Sequence, residues 1–503
     1  MKPVALKPCA QEIELKLMLL GTDPARLAKR LARVPVLARL HPTHQYLHNV
    51  YYDTPEQTLR QQRIALRIRR VGSEVAPQWL QTLKTGGTGN SALSQRGEWE
   101  VPVPSAALAL EALEASPWSA IDPDGSVFRS LVPAFVTRFE RTGWIVRQRD
   151  GSVIEVALDL GDIVAGDKRC SICELELELL AGPPAALFAL AKRIARTLAV
   201  LPATKSKAQR GYELAQDRLD APLHAQLPRL SKHLSLSAVE VLVLREMFAH
   251  FTTNLNALCN SDDSEVVHQV RVGWRRFKSA LRLFKSALES NQPPSWQALK
   301  VLLIYLGELR DLEVAWTDTL APLAITYIGT DSERSAAWLA MTQALQQATA
   351  LKRKSVHRAL SEPAVGEALL AMTQWLEELP LHQRSDAAVN KKKLALRRWS
   401  RHRIARLHLQ LKSTQKDTSN PDYQHRVRII AKRMRYGIEA LGRFLPKQRK
   451  QRWYLQATRL QLDLGATRDA LQVVDLIGRL EVDYGLVEFL RGVAVGQADS
   501  SSM

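Results

Sequence analysis

Acidic residues two positions apart recur in the first 180 residues of the chain. They stand in three segments, EIELK (12–16), GEWEV (97–101) and CELELELL (173–180). Side chains two apart on a β-strand share one face, so each segment would present its carboxylates together. Carboxylate oxygens are the ligands that Mg²⁺ and Mn²⁺ prefer. The spacing therefore indicates a site for a hard divalent cation.

Basic residues repeat with the same spacing nearby. Lys16 follows Glu14 on the same face, and Arg67 and Arg69 alternate in RIALRIRR (63–70). Guanidinium and ammonium groups bind phosphate oxygens and neutralise the charge that develops as a phosphoanhydride bond breaks. Metal-binding carboxylates beside phosphate-binding cations indicate phosphoryl transfer.

Segments of period two dominate the chain up to about residue 215 and predict seven or eight short antiparallel strands. Helical patterns interrupt them at about 24–33 and about 183–200. The charged face has two interpretations, a solvated surface or the lumen of a barrel whose apolar side is covered by helices. A solvated surface would not require Glu-x-Glu on three strands, yet the spacing alone leaves both interpretations open.

From about residue 235 the period becomes 3.6, which predicts long helices. The proline-containing segment 216–234 has no clear period and marks the boundary. We therefore predict an α+β protein of two domains. Residues 1–220 would form an antiparallel β-barrel with helices, and residues 225–490 an all-α domain.

The net charge of +19 is unevenly distributed. Residues 1–220 carry 29 Lys and Arg against 24 Asp and Glu, whereas the rest carry 41 against 27. The helical half therefore has the basic excess, and it predicts a polyanionic partner. The N-terminus lacks the apolar core of a secretory signal, and no apolar run reaches the roughly 18 residues of a membrane span. We expect a cytoplasmic protein without a membrane partner.

The helical half contains an internal repeat. HQVRVGWRRFK (268–278) and HRVRIIAKRMR (425–435) both read H-x-x-R-x-x-x-[RK]-[RK]-x-[KR] and lie 157 residues apart. LGELRD (306–311) and LGATRD (464–469) both read L-G-x-x-R-D and lie 158 apart. Two motifs displaced almost equally indicate a duplicated unit.

Each repeat predicts a helix with a basic stripe. At 100° per residue the basic residues of the first copy fall within about 80° of one another. The stripes are His268, Arg271, Arg275, Lys278 and Arg282 in the first copy and His425, Arg428, Lys432 and Arg435 in the second. Like charges at i, i+4 repel, so a bound anion would have to compensate them. Aromatic residues are not interleaved with the stripes, which favours polyphosphate over single-stranded nucleic acid, although nucleic acid stays an alternative.

The motifs of the first half resemble the CYTH superfamily of triphosphate tunnel enzymes. They are EIELK (12–16), NVYYDTP (49–55), ALRIR (65–69), TLK (82–84), RGEWE (96–100), IEVALDLGDI (154–163), CELELEL (173–179) and SKAQRGY (206–212). The resemblance implies an eight-stranded antiparallel tunnel that uses Mg²⁺ or Mn²⁺ to hydrolyse or cyclise triphosphates. The motifs look most like the bacterial inorganic triphosphatase branch, whose substrate is tripolyphosphate.

The resemblance also assigns roles to residues of this chain. The metal ligands would be Glu12, Glu14, Asp159, Glu174 and Glu176. The substrate-binding cations would be Lys16, Arg67, Arg69, Lys84, Arg141 and Lys207, and the catalytic residues Glu12, Glu14 and Lys16. Arg138 competes with Arg141, and Lys205 with Lys207, for one family position each. Glu98 and Glu100 lie on the acidic side without an assigned role.

The repeat of the second half resembles the CHAD domain. That resemblance implies two four-helix bundles around a basic pore or cleft that binds inorganic polyphosphate, and it is compatible with association with polyphosphate granules. The corresponding residues here are His268, Arg271, Arg275, Arg276, Lys278, Arg310, His425, Arg428, Lys432, Arg433, Arg435 and Arg468. Alternatives are an inactive granule-binding protein, or adenylate cyclase or thiamine triphosphatase activity in the same tunnel.

Overall fold

The computed structural model describes residues 10–20, 24–72, 76–87, 91–231, 233–382, 392–415 and 421–500. Strands β1 to β9 span Ala10–Leu19, Thr43–Asp53, Ala65–Val71, Gln78–Lys84, Leu93–Val103, Val132–Arg147, Val153–Ala165, Lys168–Ala181 and Val200–Pro202. In the first half, helices α1 to α6 span Pro24–Leu31, Thr58–Gln61, Trp118–Ile121, Ser126–Arg129, Ala185–Ala195 and Lys207–Ala215. In the second half, α7 to α16 span Leu236–Ala257, Ser264–Leu283, Lys300–Val314, Ala324–Ile328, Ser332–Leu360, Pro363–His382, Lys392–Thr414, Pro421–Leu441, Lys447–Gly478 and Tyr484–Ser500.

The strands of the first half form a closed antiparallel barrel, which confirms the predicted fold. The order is β5-β4-β3-β2-β6-β7-β8-β1, and β1 closes the barrel by pairing with β5 from Ala10↔Glu98 to Leu15↔Leu93. Beyond that point β1 pairs with the short strand β9 instead. One strand therefore uses the same edge twice, first to close the barrel and then to hold the chain that enters α6.

The alternation of each strand sends apolar side chains outward and charged ones inward. Leu15 and Leu17 of β1 are fully buried in the same apolar cluster as Leu187 and Leu190 of α5. The intervening residues Glu14 and Lys16 line the cavity inside the barrel. The charged faces of the strands thus form a lumen, and the apolar faces lie beneath helices.

Helix α6 begins at a capping box, and this helix carries SKAQRGY into the barrel. The Ser206 hydroxyl accepts a hydrogen bond from the backbone N–H of Gln209, and the Gln209 side chain accepts one from the Ser206 backbone. This reciprocal pair satisfies two N–H groups at the start of the helix. It fixes the position of Lys207, the first residue of the helix, which is 6% exposed.

The helices of the second half follow the repeat of the sequence. Helices α7 and α8 begin at Leu236 and Ser264, and α13 and α14 begin at Lys392 and Pro421. The two H-x-x-R segments lie on α8 and α14, and the two L-G-x-x-R-D segments lie on α9 and α15. Four of these elements meet in one large apolar core, in which α7 packs along α8 and α13 along α14. No described helix is both long and apolar enough to cross a membrane.

The two halves share an interface built on α12. This helix packs against α5 and β9, and its Leu370 is fully buried among barrel residues. A Cβ on Gly366 would lie 2.3 Å from the Val200 carbonyl oxygen, so only glycine permits this approach. The Asn256 side chain of α7 also donates to the Pro202 carbonyl at 3.0 Å. The barrel strand that precedes Lys207 is therefore anchored to the helical half.

Helices α7 and α8 pack most closely at Gly273, which gives a test of the helical core. A Cβ there would lie 2.8 Å from both Cα and N of Phe251, and backbone atoms cannot move aside cheaply. We expect Gly273→Ala to lower the free energy of unfolding by about 1–3 kcal/mol, because overpacking outweighs the gain in helix propensity. Gly492→Ala in α16 is the control, since a Cβ there meets nothing within 4 Å. Chemical denaturation that finds equal stability for both variants would contradict this packing.

A charged tunnel as the candidate active site

Strand register brings the predicted carboxylates of β7 and β8 to one level of the barrel. Asp159 of β7 pairs with Glu174 of β8 and with Arg141 of β6, and Lys16 of β1 pairs with Glu176 of β8. Carboxylate oxygens of Asp159, Glu174 and Glu176 lie within 4.8 Å of one another. We call these three residues the acidic triad. Hard oxygen donors at this spacing fit a divalent cation such as Mg²⁺ or Mn²⁺.

Lys207 and Arg141 each contact more than one carboxylate of the acidic triad. Lys207 Nζ lies 2.6 Å from Asp159 Oδ2 and 3.1 Å from Glu176 Oε1, and it also pairs with Glu174. Arg141 makes a fork on Asp159, with Nε and Nη2 each 2.7 Å from a carboxylate oxygen, and its Nη2 is 2.6 Å from Glu176. Burial alone would raise the pKa of Glu176, but Lys16, Lys207 and Arg141 lower it well below its usual value. Glu176 is therefore anionic at neutral pH.

Glu12 and Glu14 form a second group across Lys16. Lys16 Nζ lies 2.8 Å from both Glu14 and Glu176, so it bridges the two groups. Glu12 accepts from Lys84 at 2.8 Å and from Arg96 Nε at 2.8 Å. Burial raises the pKa of Glu12, but Lys84 and Arg96 outweigh that effect and lower it far below the usual range. Of the five predicted metal ligands, three make the triad and two lie on the other side of Lys16.

Arg67 and Arg69 occupy the lumen on β3. Arg67 is 7% exposed, and it donates to the Tyr51 hydroxyl and to Thr82 Oγ1, each at 3.3 Å. Arg69 Nε donates to Asn49 Oδ1 at 2.8 Å, and its Nη1 lies 3.5 Å from Glu100. Burial and the neighbouring Arg67 lower the pKa of Arg69 to about 10. An anion between these arginines would relieve their repulsion.

The structure distinguishes the residues that sequence reasoning left as pairs. Arg141 points into the lumen, whereas Arg138 is exposed on the same strand. Lys207 reaches the triad, whereas Lys205 pairs with Glu213 at 2.7 Å. The physical reason is the odd separation of the two arginines along β6, which sends them to opposite faces.

Two further cations of the lumen were missed by the sequence analysis. Arg96 contacts both Glu12 and Glu14, and Arg210 Nη1 lies 3.3 Å from Glu174. A signal existed for Arg96, because it stands two residues before Glu98 and period two places both on one face. The complete lumen is a cavity of about 1290 Å³, and its lining includes acidic and basic side chains from β1, β3, β4, β5, β6 and β8.

The first basic stripe lies against the L-G-x-x-R-D segment of α9. Arg271 Nη1 donates to the Leu306 carbonyl at 3.0 Å, and a Cβ on Gly307 would lie 3.0 Å from that nitrogen. Burial and Arg275 lower the pKa of Arg271 to about 10, and burial and Arg310 lower the pKa of His268. The glycine therefore makes room for Arg271 in the first copy.

The second copy is only partly comparable. His425, Arg428 and Lys432 lie on α14, and Arg435 Nε lies 3.6 Å from Glu439. The side chain of Arg468 lies outside the described residues. These placements leave the predicted polyphosphate-binding roles as proposals.

Arg276 is a correction to the polyphosphate-binding residues that the CHAD resemblance implied. It is 1% exposed, and it donates to the Gln226 carbonyl at 2.9 Å and lies 3.5 Å from Glu439. One helical step of 100° turns it from the stripe of Arg275 into the core between α7 and α14. This arginine stabilises the fold and is not available to a ligand.

Comparisons with known proteins agree with both halves. The CYTH domain family matches residues 10–212, and the CHAD domain family matches residues 242–477. An inorganic triphosphatase of Haemophilus influenzae is 35% identical over 207 residues, which are 41% of this chain and 55% of that protein. The chain thus spans about half the length of this curated relative.

Solved structures of similar proteins include representatives of each half. The CHAD domain from the plant Ricinus communis is 25% identical, with a TM-score of 0.46, over 56% of this chain and 92% of that one. A putative adenylyl cyclase from Hippeastrum, described as having a dominant triphosphatase activity, is 18% identical. Its TM-score is 0.28, and the similarity covers 40% of this chain and 95% of that one.

Arg96 gives a test of the lumen network. Arg96→Met leaves Glu12 and Glu14 buried with one cation fewer, and we expect the free energy of unfolding to fall by about 2 kcal/mol. Arg138→Met removes an exposed arginine from the same barrel and serves as the control. Adding Glu14→Gln to Arg96→Met should recover part of the loss in chemical denaturation. A loss equal to that of the control would show that the network does not stabilise the barrel.

Proposed function

Because the chain joins a CYTH domain to a CHAD domain, we propose that it is a metal-dependent inorganic triphosphatase whose helical half binds polyphosphate. The tunnel hydrolyses tripolyphosphate to pyrophosphate and orthophosphate. The observation that carries this proposal is the acidic triad in contact with Lys207 and Arg141 inside a closed barrel. The relative named inorganic triphosphatase supports the choice of substrate.

The ion pairs of the lumen favour a substrate that brings charges of both signs. Without ligand, the carboxylates of the triad neutralise Lys207 and Arg141. Breaking one such pair alone would leave a buried charge uncompensated, which is costly. A complex of a divalent cation with a triphosphate supplies a partner to each side at once. The empty tunnel is thus stable and still able to exchange its internal pairs for substrate.

Mg²⁺ or Mn²⁺ held by the acidic triad would supply Lewis-acid polarisation of the phosphate chain and of an attacking water. Glu12 and Glu14 are further ligands of this proposal, since phosphate oxygens would draw Lys84 and Lys16 away from them. The fit rests on the donor set, because the oxygen donors of the triad converge from β7 and β8 without a competing sulfur or imidazole among them.

The cations of the chain orient the phosphates and stabilise the leaving group. Water attacks the terminal phosphorus, the bond to the bridging oxygen breaks, and the electron pair stays on the pyrophosphate that leaves. Arg67 and Arg69 hold phosphate oxygens from one side of the lumen, and Arg141 and Lys207 from the other. Burial lowers the pKa of Lys16, but Glu14 and Glu176 raise it to about 12, so it is a permanent cation at neutral pH. Such preorganised charges provide most of the catalysis in phosphoryl transfer.

The helical half would bind polyphosphate along its basic stripes. Burial and the neighbouring Arg275 lower the pKa of Arg271, although Asp311 lies 3.9 Å away. A linear polyanion would compensate this repulsion and release its own counterions on binding. The domain boundary of this proposal is the segment between α6 and α7.

The metal site is tested by Glu176→Gln, which keeps the shape of the side chain and removes an anionic ligand. We expect kcat for orthophosphate release from tripolyphosphate to fall by at least about a hundredfold, with partial recovery at high Mg²⁺. Glu140→Gln on the outer face of β6 is the matched control. Equal metal dependence in both variants would refute the assignment. The substrate is decided by measuring orthophosphate release from ATP and thiamine triphosphate beside tripolyphosphate. Faster release from either compound would replace tripolyphosphate as the proposed substrate.

Polyphosphate binding is tested by reversing one arginine in each stripe. Arg271→Glu with Arg428→Glu should weaken the binding of long-chain polyphosphate by at least about tenfold and flatten its dependence on salt. Lys354→Glu with Arg358→Glu makes the same charge change on the exposed face of α11 and controls for net charge. Equal affinities of the two variants would leave the stripes as solvated surfaces. Duplex DNA that competes as well as polyphosphate would favour a nucleic-acid partner.

A further inference from the structure

The two copies of the helical repeat differ in charge around one pair of equivalent arginines. Arg276 of the first copy corresponds to Arg433 of the second, 157 residues further on. With the same displacement Glu439 corresponds to Arg282. Glu246 corresponds to Arg403, and Ala249 to Arg406. The neighbourhood of Arg276 therefore contains the carboxylates Glu439 and Glu246, whereas the equivalent neighbourhood of Arg433 contains Arg282 and Arg403.

The first copy compensates its arginine within the protein. Arg276 lies 3.5 Å from Glu439 of the other copy and donates to the Gln226 carbonyl. His250 Nδ1 lies 3.4 Å from its Nη1. Burial raises the pKa of Glu246, and Arg276 partly lowers it again, so this carboxyl also faces the guanidinium. The position needs no ligand.

The second copy places like charges at the equivalent position. Burial and Arg282 both lower the pKa of Arg433, and its Nε, like that of Arg276, is buried without a hydrogen-bond partner. Arg276 interacts with Glu439, and Arg433 interacts with Arg282. Residues 439 and 282 are themselves equivalent positions of the repeat, so each arginine has the same neighbour position in the other copy. The fold therefore supplies the same pocket twice, once neutralised and once with an excess of positive charge.

Two arginines of α13 complete the second pocket. Arg403 donates from Nε to the Leu283 carbonyl at 3.0 Å and from Nη2 to the Arg282 carbonyl at 2.9 Å, so the end of α8 fixes its position. Arg406 is exposed beside it and lowers its pKa in addition to burial. Arg282, Arg403, Arg406 and Arg433 line one cavity of about 250 Å³. Among the residues that the structure describes, no carboxylate lies within ion-pair distance of any of these four.

We propose that the cavity between α8, α13 and α14 binds a phosphate-class oxyanion of up to pyrophosphate size. Four guanidinium groups around a small cavity match the planar, bidentate recognition that arginine offers to phosphate. The bound anion takes the place that Glu439 and Glu246 hold in the pocket around Arg276. This site is separate from the tunnel, so it does not rest on the proposed triphosphatase activity. It does rest on the proposed polyphosphate binding of the helical half, because Arg282 belongs to the first basic stripe and Arg433 to the predicted polyphosphate-binding residues.

The decisive variant converts the second pocket to the chemistry of the first. Arg282→Glu with Arg406→Ala reproduces Glu439 and Ala249, and it leaves the backbone hydrogen bonds of Arg403 in place. Calorimetric titration of the full chain with pyrophosphate, without divalent cation, should show one binding site fewer, or at least about tenfold weaker binding at that site. Lys354→Glu with Arg358→Ala on α11 makes the same change in net charge and should bind as the wild type does.

Thermal unfolding is a second measurement, for the case in which pyrophosphate binding in the tunnel obscures the calorimetric signal of this site. Pyrophosphate should raise the thermal unfolding midpoint of the wild type and the control more than that of the converted variant. Arg406→Ala alone changes an exposed side chain, so it should fold normally and show part of the same loss. The stripe variant Arg271→Glu with Arg428→Glu should retain the site. Equal pyrophosphate binding by the converted variant and its control would overturn the proposal, as would loss of the site in the stripe variant.

Discussion

Burial of opposite charges inside a closed barrel is the constraint on which the first half of this protein depends. A buried carboxylate or ammonium is tolerated only when it is paired and hydrogen-bonded. The lumen meets this requirement by alternating signs between neighbouring strands, as with Arg141 against Asp159 and Lys84 against Glu98. The charged side chains of each strand therefore depend on the neighbouring strand for their ion-pair partners. The pairing of β1 with β5, which closes the barrel, brings Arg96 to Glu12 and Glu14.

The same constraint connects stability to function. A lumen neutralised by its own ion pairs is stable when empty, and every cation that could hold a phosphate is already positioned by a carboxylate. The interface with the helical half also positions the segment that precedes Lys207. The Asn256 side chain of α7 donates to the Pro202 carbonyl, and the Thr253 hydroxyl lies within hydrogen-bond distance of the Thr204 hydroxyl. The helical half thus contributes to the geometry of the tunnel without lining it.

The helical half uses charge in the opposite way. Its stripes and its second arginine pocket carry positive charge that nearby carboxylates only partly compensate or do not compensate at all. Duplication explains how both solutions exist in one domain. Helix α8 of the first copy packs on α14 of the second, so each copy supplies residues to the pocket around the arginine of the other copy. A substitution at 439 therefore changes only the pocket of Arg276, and a substitution at 282 changes only the pocket of Arg433.

The sequence by itself determined the periodicities, and with them the fold and the candidate chemistry. Period two with Glu-x-Glu and Arg-x-Arg predicted a charged face on each strand, and the repeated H-x-x-R motif predicted two equivalent helices. These features are local, because strand and helix geometry alone decides which side chains share a face. The same reasoning would have identified Arg96 from its spacing to Glu98.

Only the tertiary structure decided which faces meet. It joined Asp159 to Glu174 and Glu176 but left Glu12 and Glu14 across Lys16, because strand order and register are set by long-range pairing. It turned Arg276 into the core while Arg433 remained beside Arg282, although the motif is the same in both copies. Charge compensation depends on neighbours that are distant in sequence, so no local pattern could distinguish the two.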